Sequence, residues 1–483
     1  MSYKSIVGGK LIVNAKGDIK SYAKENIEIN SEKTIKVTGD EKGVSSGKPK
    51  MVAIYINEKC LVHFRPKDNW NGENYGFDWV RTGDTKIKGD TNYKPIIGKY
   101  GAVYASQGGV LTQSNDEYRK LMSKFNPHTF FIKDKSGKKK GVNYCVPWLC
   151  LYPESIVKQV KQKDGTLKPT EIKSGFKNTT ATLKTILVID KQPEKLELDY
   201  DTKLFKIVNP AFPLSVGKHE IEMTITCLKE FSTDQPIKVV ATYKDAAGKL
   251  EKSLAGKIKV LRNKDRYKVD VLFVNVWTNI NNAAKPNKGA TINRDKELRK
   301  YLNQGLVNPT FEKVNLDLSV DIDPITKKVT NRKTNFNNIS HAIGGIKPKI
   351  PDGAIDDIYK FLNTELYKTY SYKKYQNHFK VYFINESAGG LYGIGRSINK
   401  ADDFRTILVY AIGFADSTVA HETLHSMGLY HTFDNNSDFT FEIFKTDNIM
   451  DYSDTATPAI PVISLYHWQW TKLWQRATKD VEK

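Results

Sequence analysis

The stretch AHETLHSMGLYHT, residues 420–432, constrains this chain more than any other. It gathers three of the nine histidines, His421, His425 and His431, within eleven residues, with Glu422 beside the first and Gly428 before the third. Asp416 or Ser417 can cap a helix running from about Thr418 to Met427. On such a helix, positions four apart share a face, with Cβ atoms about 5–6 Å apart. The spacing therefore aims His421 and His425 at one point. Gly428 suits the left-handed residue that ends a helix, and the turn it permits brings His431 round as a third nitrogen.

Two imidazoles at that separation can reach one ion at about 2.0–2.1 Å, and a third leaves one tetrahedral position for water, the pattern of a catalytic zinc site. Glu422, one residue off the ligand face, can lean over that position. A carboxylate there takes a proton from water that zinc has acidified to a pKa of about 7 and returns it to a leaving amine. HExxH alone occurs by chance on helices with two surface histidines. The extended H-E-x-x-H-x-x-G-x-x-H fixes five positions and defines the metzincin signature when a Met-turn follows. NIMDYS supplies that turn, with Met450 nineteen residues after His431.

On these motifs the chain resembles the metzincin zinc peptidases. GLYHTF (428–433) and NIMDYSD (448–454) are most similar to the pappalysin branch. The resemblance implies one catalytic Zn2+ on His421, His425 and His431, Glu422 as general base and acid, and Met450 as an apolar floor. It further implies that Tyr452 stabilises the oxyanion, and that an antiparallel edge strand above the cleft pairs with extended protein or peptide substrate. GGLYGIGRSI (389–398), with Gly393 and Ile394 at its centre, stands in the right place. Its glycines can equally mark a bulged or flexible edge. The segment between third ligand and Met-turn is short and lacks the cysteines of pappalysins. DNNSD (434–438) could offer oxygens to Ca2+, but a polar turn is the simpler reading. His467-Trp468-Gln469-Trp470 reads as a helix packing under the site.

Across its 483 residues the expected architecture is multidomain, with a β-rich N-terminal half followed by an α/β metzincin-like catalytic domain. Residues 1–50 alternate apolar and polar (Ile27, Ile29, Ile35, Val37 on one side) with turns every seven or eight residues. They are expected to stack as a β-solenoid-like segment, similar to the spike tips of contractile (type VI) secretion machines. Residues 51–172 read as a β-rich domain in which Trp70, Tyr75, Phe77 and Trp79 are core rather than a glycan-binding surface. Residues 176–262 have the even strand spacing of an immunoglobulin-like β-sandwich. From 265 to 483 strands alternate with helices: strands over 268–277, 314–321, 379–386 and 405–411, helices over 293–306 and 354–370.

The four cysteines do not make a disulfide scaffold; idle thiols are the simplest reading, and Cys145 as a metal-capping thiolate has little support. A formal charge of +21 invites nucleic acid, yet the lysines are scattered and no nucleic-acid motif accompanies them, so no specific nucleic-acid partner is expected, and adhesion to anionic polymers or membranes stays a secondary possibility. No apolar run is long enough to span a membrane, and the N-terminus carries no secretory signal pattern. Export by a contractile system, with spike proteins as partners and the peptidase as toxic payload, is compatible with this layout. A secretion-apparatus cargo, or a cell-wall or glycan-binding protein hydrolysing peptidoglycan amides, is the alternative.

Overall fold

The protein is described by a computed structural model covering residues 55–479, apart from residues 57, 102–108, 134–138, 209–210, 281, 324, 341–351, 396–404 and 415–416. The chain divides into two compact units, Met1–Ala53 and Ile54–Lys483. The β-solenoid expected over 1–50, and the spike-tip likeness with it, lies outside the described residues. No described helix is long and apolar enough to cross a membrane.

Within the second unit two sheets face one another. One orders the strands Cys60–Pro66, Thr180–Ile189, Gly217–Cys227 and Phe205–Val208; the other orders Lys195–Asp199, Gln235–Lys244, Leu250–Val260, Trp148–Cys150 and Gly76–Asp78. Alternating side chains turn inwards, so that Val62, Leu183, Leu187, Met223 and Ile225 meet Phe77, Leu149, Val239, Ile258 and Val260 in one core. Each such side chain contributes about 1.5–3 kcal/mol on full burial. The sandwich is thus wider than the span 176–262. Its open edges need backbone partners, and the apolar runs CLVHFRP and WLC from the preceding segment supply them. Trp70, Tyr75, Phe77 and Trp79 are all buried there, as core.

The remaining large sheet is built on Tyr267–Thr278. Val307–Asp317 and Phe379–Ile384 flank it in parallel, Thr406–Tyr410 continues in parallel, and Gly393–Gly395 closes that edge antiparallel. Two-residue strands at Asn287–Lys288 and Thr478–Lys479 extend the ends of the central strand. The alternation of a strand decides which helix each residue meets. Val269, Val271 and Phe273 pack with the helices Arg294–Gln304 and Thr418–Ser426. Leu272, Val274 and Val276 pack with Arg332–Ser340 and Asp352–Thr369 on the opposite face. A mostly parallel sheet covered on both faces reads as continuous apolar strands, which is why KVDVLFVNVW lacks a polar face.

One strand differs from expectation. The segment expected over 314–321 begins at Val307 and ends at Asp317. Pro309 masks its start in the sequence, but the strand lies at the edge of the sheet, where a missing N–H is tolerated.

Part of the segment before residue 172 lies against the half that carries the three histidines. Ile97–Tyr100 pairs with Leu111–Gln113 and, on its other side, with Thr440–Phe441. Tyr93, Ile97, Leu121 and Phe125 share a core with Val419, Leu424 and Met450. Long-range strand pairing of this kind leaves no local trace in the sequence.

Candidate metal centre

The helix Thr418–Ser426 forms where Val419, Ala420 and Leu424 can be buried against the sheet. Its first turn departs from expectation. Ser417 occupies the N-cap position but makes no capping bond; its hydroxyl donates instead to Asp454 Oδ2 at 2.5 Å. That contact ties the helix start to the turn after Met450. Asp416, the other expected cap, lies outside the described residues. The helix ends at Met427, and Gly428 follows with φ +94°, the left-handed geometry the sequence requires there.

Three imidazoles converge as the spacing predicts. The Nε2 atoms of His421 and His425 are 3.0 Å apart, those of His425 and His431 2.9 Å, and those of His421 and His431 3.2 Å. The other ring nitrogens settle the tautomers. His421 Nδ1 donates to the Ile449 carbonyl at 2.8 Å, and His425 Nδ1 to the Leu429 carbonyl at 2.7 Å. A carbonyl can only accept, so both rings carry their proton on Nδ1, and their neutral Nε2 atoms are bare lone pairs. Burial pulls His421 down to about 4, and burial with the neighbouring His421 pulls His425 down to about 3. Burial likewise carries His431 well below the usual histidine range. Neutral rings with lone pairs facing one another repel unless a cation lies among them. Ligands at about 2.0–2.1 Å in tetrahedral array stand about 3.3 Å apart, within a few tenths of the distances here. These three residues form a group able to hold a metal ion, the one such group found among the described residues.

Around this group the other expected residues assemble. Glu422 is half-buried and its Oε2 accepts the backbone N–H of Gly395 at 2.6 Å. Tyr452 Oη lies 2.9 Å from His431 Nε2, with its ring edge-on to His431 and tilted on Phe433. Met450 is fully buried and its carbonyl accepts the Thr432 N–H at 3.0 Å. The Asp451 carboxylate accepts the backbone N–H groups of Phe444, Thr446 and Tyr452, which closes the turn.

Gly393 and Gly395 lie on the edge strand, and close approach explains both glycines. A Cβ on Gly395 would stand 2.2 Å from the Glu422 carbonyl oxygen, and one on Gly393 would stand 2.6 Å from Thr418 Cγ2. The strand lies directly on the helix that carries the histidines. Between the glycines, the Ile394 carbonyl accepts the Tyr359 hydroxyl at 2.9 Å. Two cavities, of about 440 and 450 Å3, open beside the imidazoles and share Leu391, Gly393, Glu422 and Tyr452 as walls.

The DNNSD turn has structural work for its side chains. Asp434 Oδ1 accepts the Asn436 N–H, the Asn435 amide exchanges two hydrogen bonds with the Tyr100 backbone, and Asp438 pairs with Lys472. Cys145, raised to about 12 by burial, is not among the metal-binding group. The helix His467–Trp474 buries Trp468, Gln469, Trp470, Leu473 and Trp474.

Sequence reasoning missed three contacts: Gly395 to Glu422, Ser417 to Asp454, and a buried arginine, Arg81, that reaches Asp447. Only the last left a signal, an arginine set beside Asp78 and Trp79 in a run of aromatic residues.

No protein-family model matches the chain, and no curated protein matches it. Among solved structures the chain is similar to metalloproteinase-II from Bacteroides fragilis, at 10% identity over 75% of this chain and 95% of that one, with a TM-score of 0.26. At that score the likeness leaves fold and activity to be argued from the chain's own residues.

Proposed function

We propose that the chain is a zinc-dependent endopeptidase of the metzincin type, closest in its motifs to the pappalysin branch. One observation carries this reading: three neutral imidazole nitrogens, 2.9–3.2 Å apart, converge beside a glutamate that lines an open cleft. An all-imidazole donor set suits zinc among the available divalent ions. Zinc held there would supply Lewis acidity to a substrate carbonyl and to the attacking water.

The chain's own side chains supply the rest. Glu422, held at one carboxylate oxygen by the edge strand, takes the proton of the attacking water and passes it to the leaving amine. The Tyr452 hydroxyl donates towards the charge developing on the carbonyl oxygen. Substrate lies extended beside Gly393–Gly395, adding a strand to the sheet. The paired cavities give it room on both sides of Glu422, which favours cleavage within a chain.

Zinc content and one variant test this. Purified protein should bind about one zinc per chain. Glu422→Gln should keep that zinc while peptide cleavage falls by about 10²–10⁴-fold. Wild-type cleavage rates in Glu422→Gln would refute the mechanism.

A further inference from the structure

Beneath the metal centre lies a charged network that the mechanism does not use. Arg81, Asp78 and Asp447 all have fully buried side chains. Arg81 Nη1 donates to Asp78 Oδ1 at 2.7 Å and to the Trp79 carbonyl at 2.8 Å. Its Nη2 lies 3.1 Å from both Asp447 carboxylate oxygens and 3.1 Å from Ser464 Oγ. The guanidinium stacks 3.6 Å above the Trp79 ring. Asp78 reaches further, accepting the backbone N–H of His467 at 2.9 Å and its Nδ1–H at 2.7 Å. Two segments more than 360 residues apart in sequence are thereby fastened together.

Asp447 begins the segment on which the ligands rest. Its backbone carbonyl accepts the N–H groups of Ile463 and Ser464. Two residues on, Ile449 donates its N–H to the Ser464 carbonyl and accepts His421 Nδ1–H through its own. Met450 then accepts the N–H of Thr432, next to His431. Residues 447–450 orient one ligand ring directly and a second through its chain. Desolvation offsets most of what a buried ion pair gains in stability. The planar guanidinium fork instead fixes direction. A network of this kind contributes geometry.

We propose that Arg81 is a positioning residue of the metal centre, and that it acts through Asp447 and Ser464 on the Ile449 and Met450 carbonyls that hold the histidine ligands. The same N-terminal segment grips the loop between His431 and Met450 a second time. Ile97 and Gly98 pair with Phe441 and Thr440, Tyr100 holds Asn435 through its backbone, and the Ile96 carbonyl accepts the Glu442 N–H at 2.7 Å. The inference rests on the metal-binding reading of the three histidines.

Full-length protein is compared as wild type, Arg81→Lys, Ser464→Ala and the control Arg332→Lys. Arg332 is an equally buried guanidinium, paired with Glu365 at 3.0 Å on the other face of the sheet. Zinc affinity is read by chelator competition, and ligand geometry from the visible spectrum of the cobalt(II)-loaded protein. Loss of a group that orients metal ligands weakens binding by about 10–100-fold. Arg81→Lys should fall in that range with shifted cobalt bands. Ser464→Ala, a milder change that leaves the backbone bonds in place, should lose severalfold, and Arg332→Lys should overlay on wild type. If Arg81→Lys does not fold, Ser464→Ala decides alone. Wild-type affinity and spectrum in the folded variants, or equal losses in Arg332→Lys, overturn the proposal while the peptidase reading stands. A wild-type chain that takes up no zinc overturns both.

Discussion

The backbone N–H of Gly395 donates to Glu422 Oε2 at 2.6 Å, so the edge strand holds the side chain proposed to move the proton. A methyl group at 395 would collide with the Glu422 backbone, at 2.2 Å from its carbonyl oxygen. Gly395→Ala should therefore push strand and helix apart and misplace the carboxylate, with the ligand rings still anchored elsewhere. Misplacement by about 1 Å costs on the order of a hundredfold in rate. Steady-state kinetics beside zinc analysis should find kcat down by that order with one zinc still bound. Loss of zinc together with activity would show that the strand supports the ligands instead.

Tyr452→Phe isolates the hydroxyl. Its ring meets His431 edge-on and Phe433 at a tilt, contacts that phenylalanine keeps. Removing one donor to a developing oxyanion costs about 10²–10³ in kcat. The variant should lose activity in that range with KM and zinc affinity near wild type. An unchanged kcat would assign the hydroxyl to packing alone.

Metal removal should destabilise the fold. Without a cation the Nε2 lone pairs of His421 and His425, 3.0 Å apart, repel in a buried site. Ligand present at a hundred times its Kd stabilises by about 2.7 kcal/mol. Thermal unfolding should shift upward as zinc is added to chelator-treated protein, with Tm climbing as free zinc rises. A Tm indifferent to zinc would mean that no ion binds the native state.

His63, on the strand Cys60–Pro66, lends stability a pH dependence of its own. It stacks on Tyr144 at 5.2 Å, and burial, followed by the charge of Arg65, lowers its pKa to about 4. Unfolded histidine titrates near 6.5. Between those values the unfolded chain binds a proton that the folded chain refuses, so stability rises with pH across the window. The contribution is full above about 6.5 and is lost as pH falls towards 4. Urea titrations at pH 7.5 and 5 should show a smaller drop for His63→Gln than for wild type. Equal drops would remove His63 from the acid response.

The legible parts of the molecule were those with short-range rules. A helix puts positions four apart on one face, and a glycine follows where the backbone turns left-handed, so His421, His425, Gly428 and His431 could be placed from spacing. Strand and helix periods likewise located Tyr267–Thr278 and Arg294–Gln304 to within a residue or two. Contacts between elements were another matter. The pairing of Cys60–Pro66 with Thr180–Ile189 depends on which edge stands open after collapse. The close approach of the edge-strand glycines to the histidine-bearing helix is another contact between elements that spacing does not carry. Arg81 belongs to no motif; its partner Asp447 lies 366 positions away and becomes visible only in three dimensions.

The clamp between Arg81 and Asp447 also bears on how the protein is made. The histidines leave the ribosome before Ile449, whose carbonyl accepts the His421 Nδ1–H, and before Asp447 and Ser464, which tie that stretch to Arg81. A growing chain therefore carries these three histidines before the carbonyl that orients the first of them.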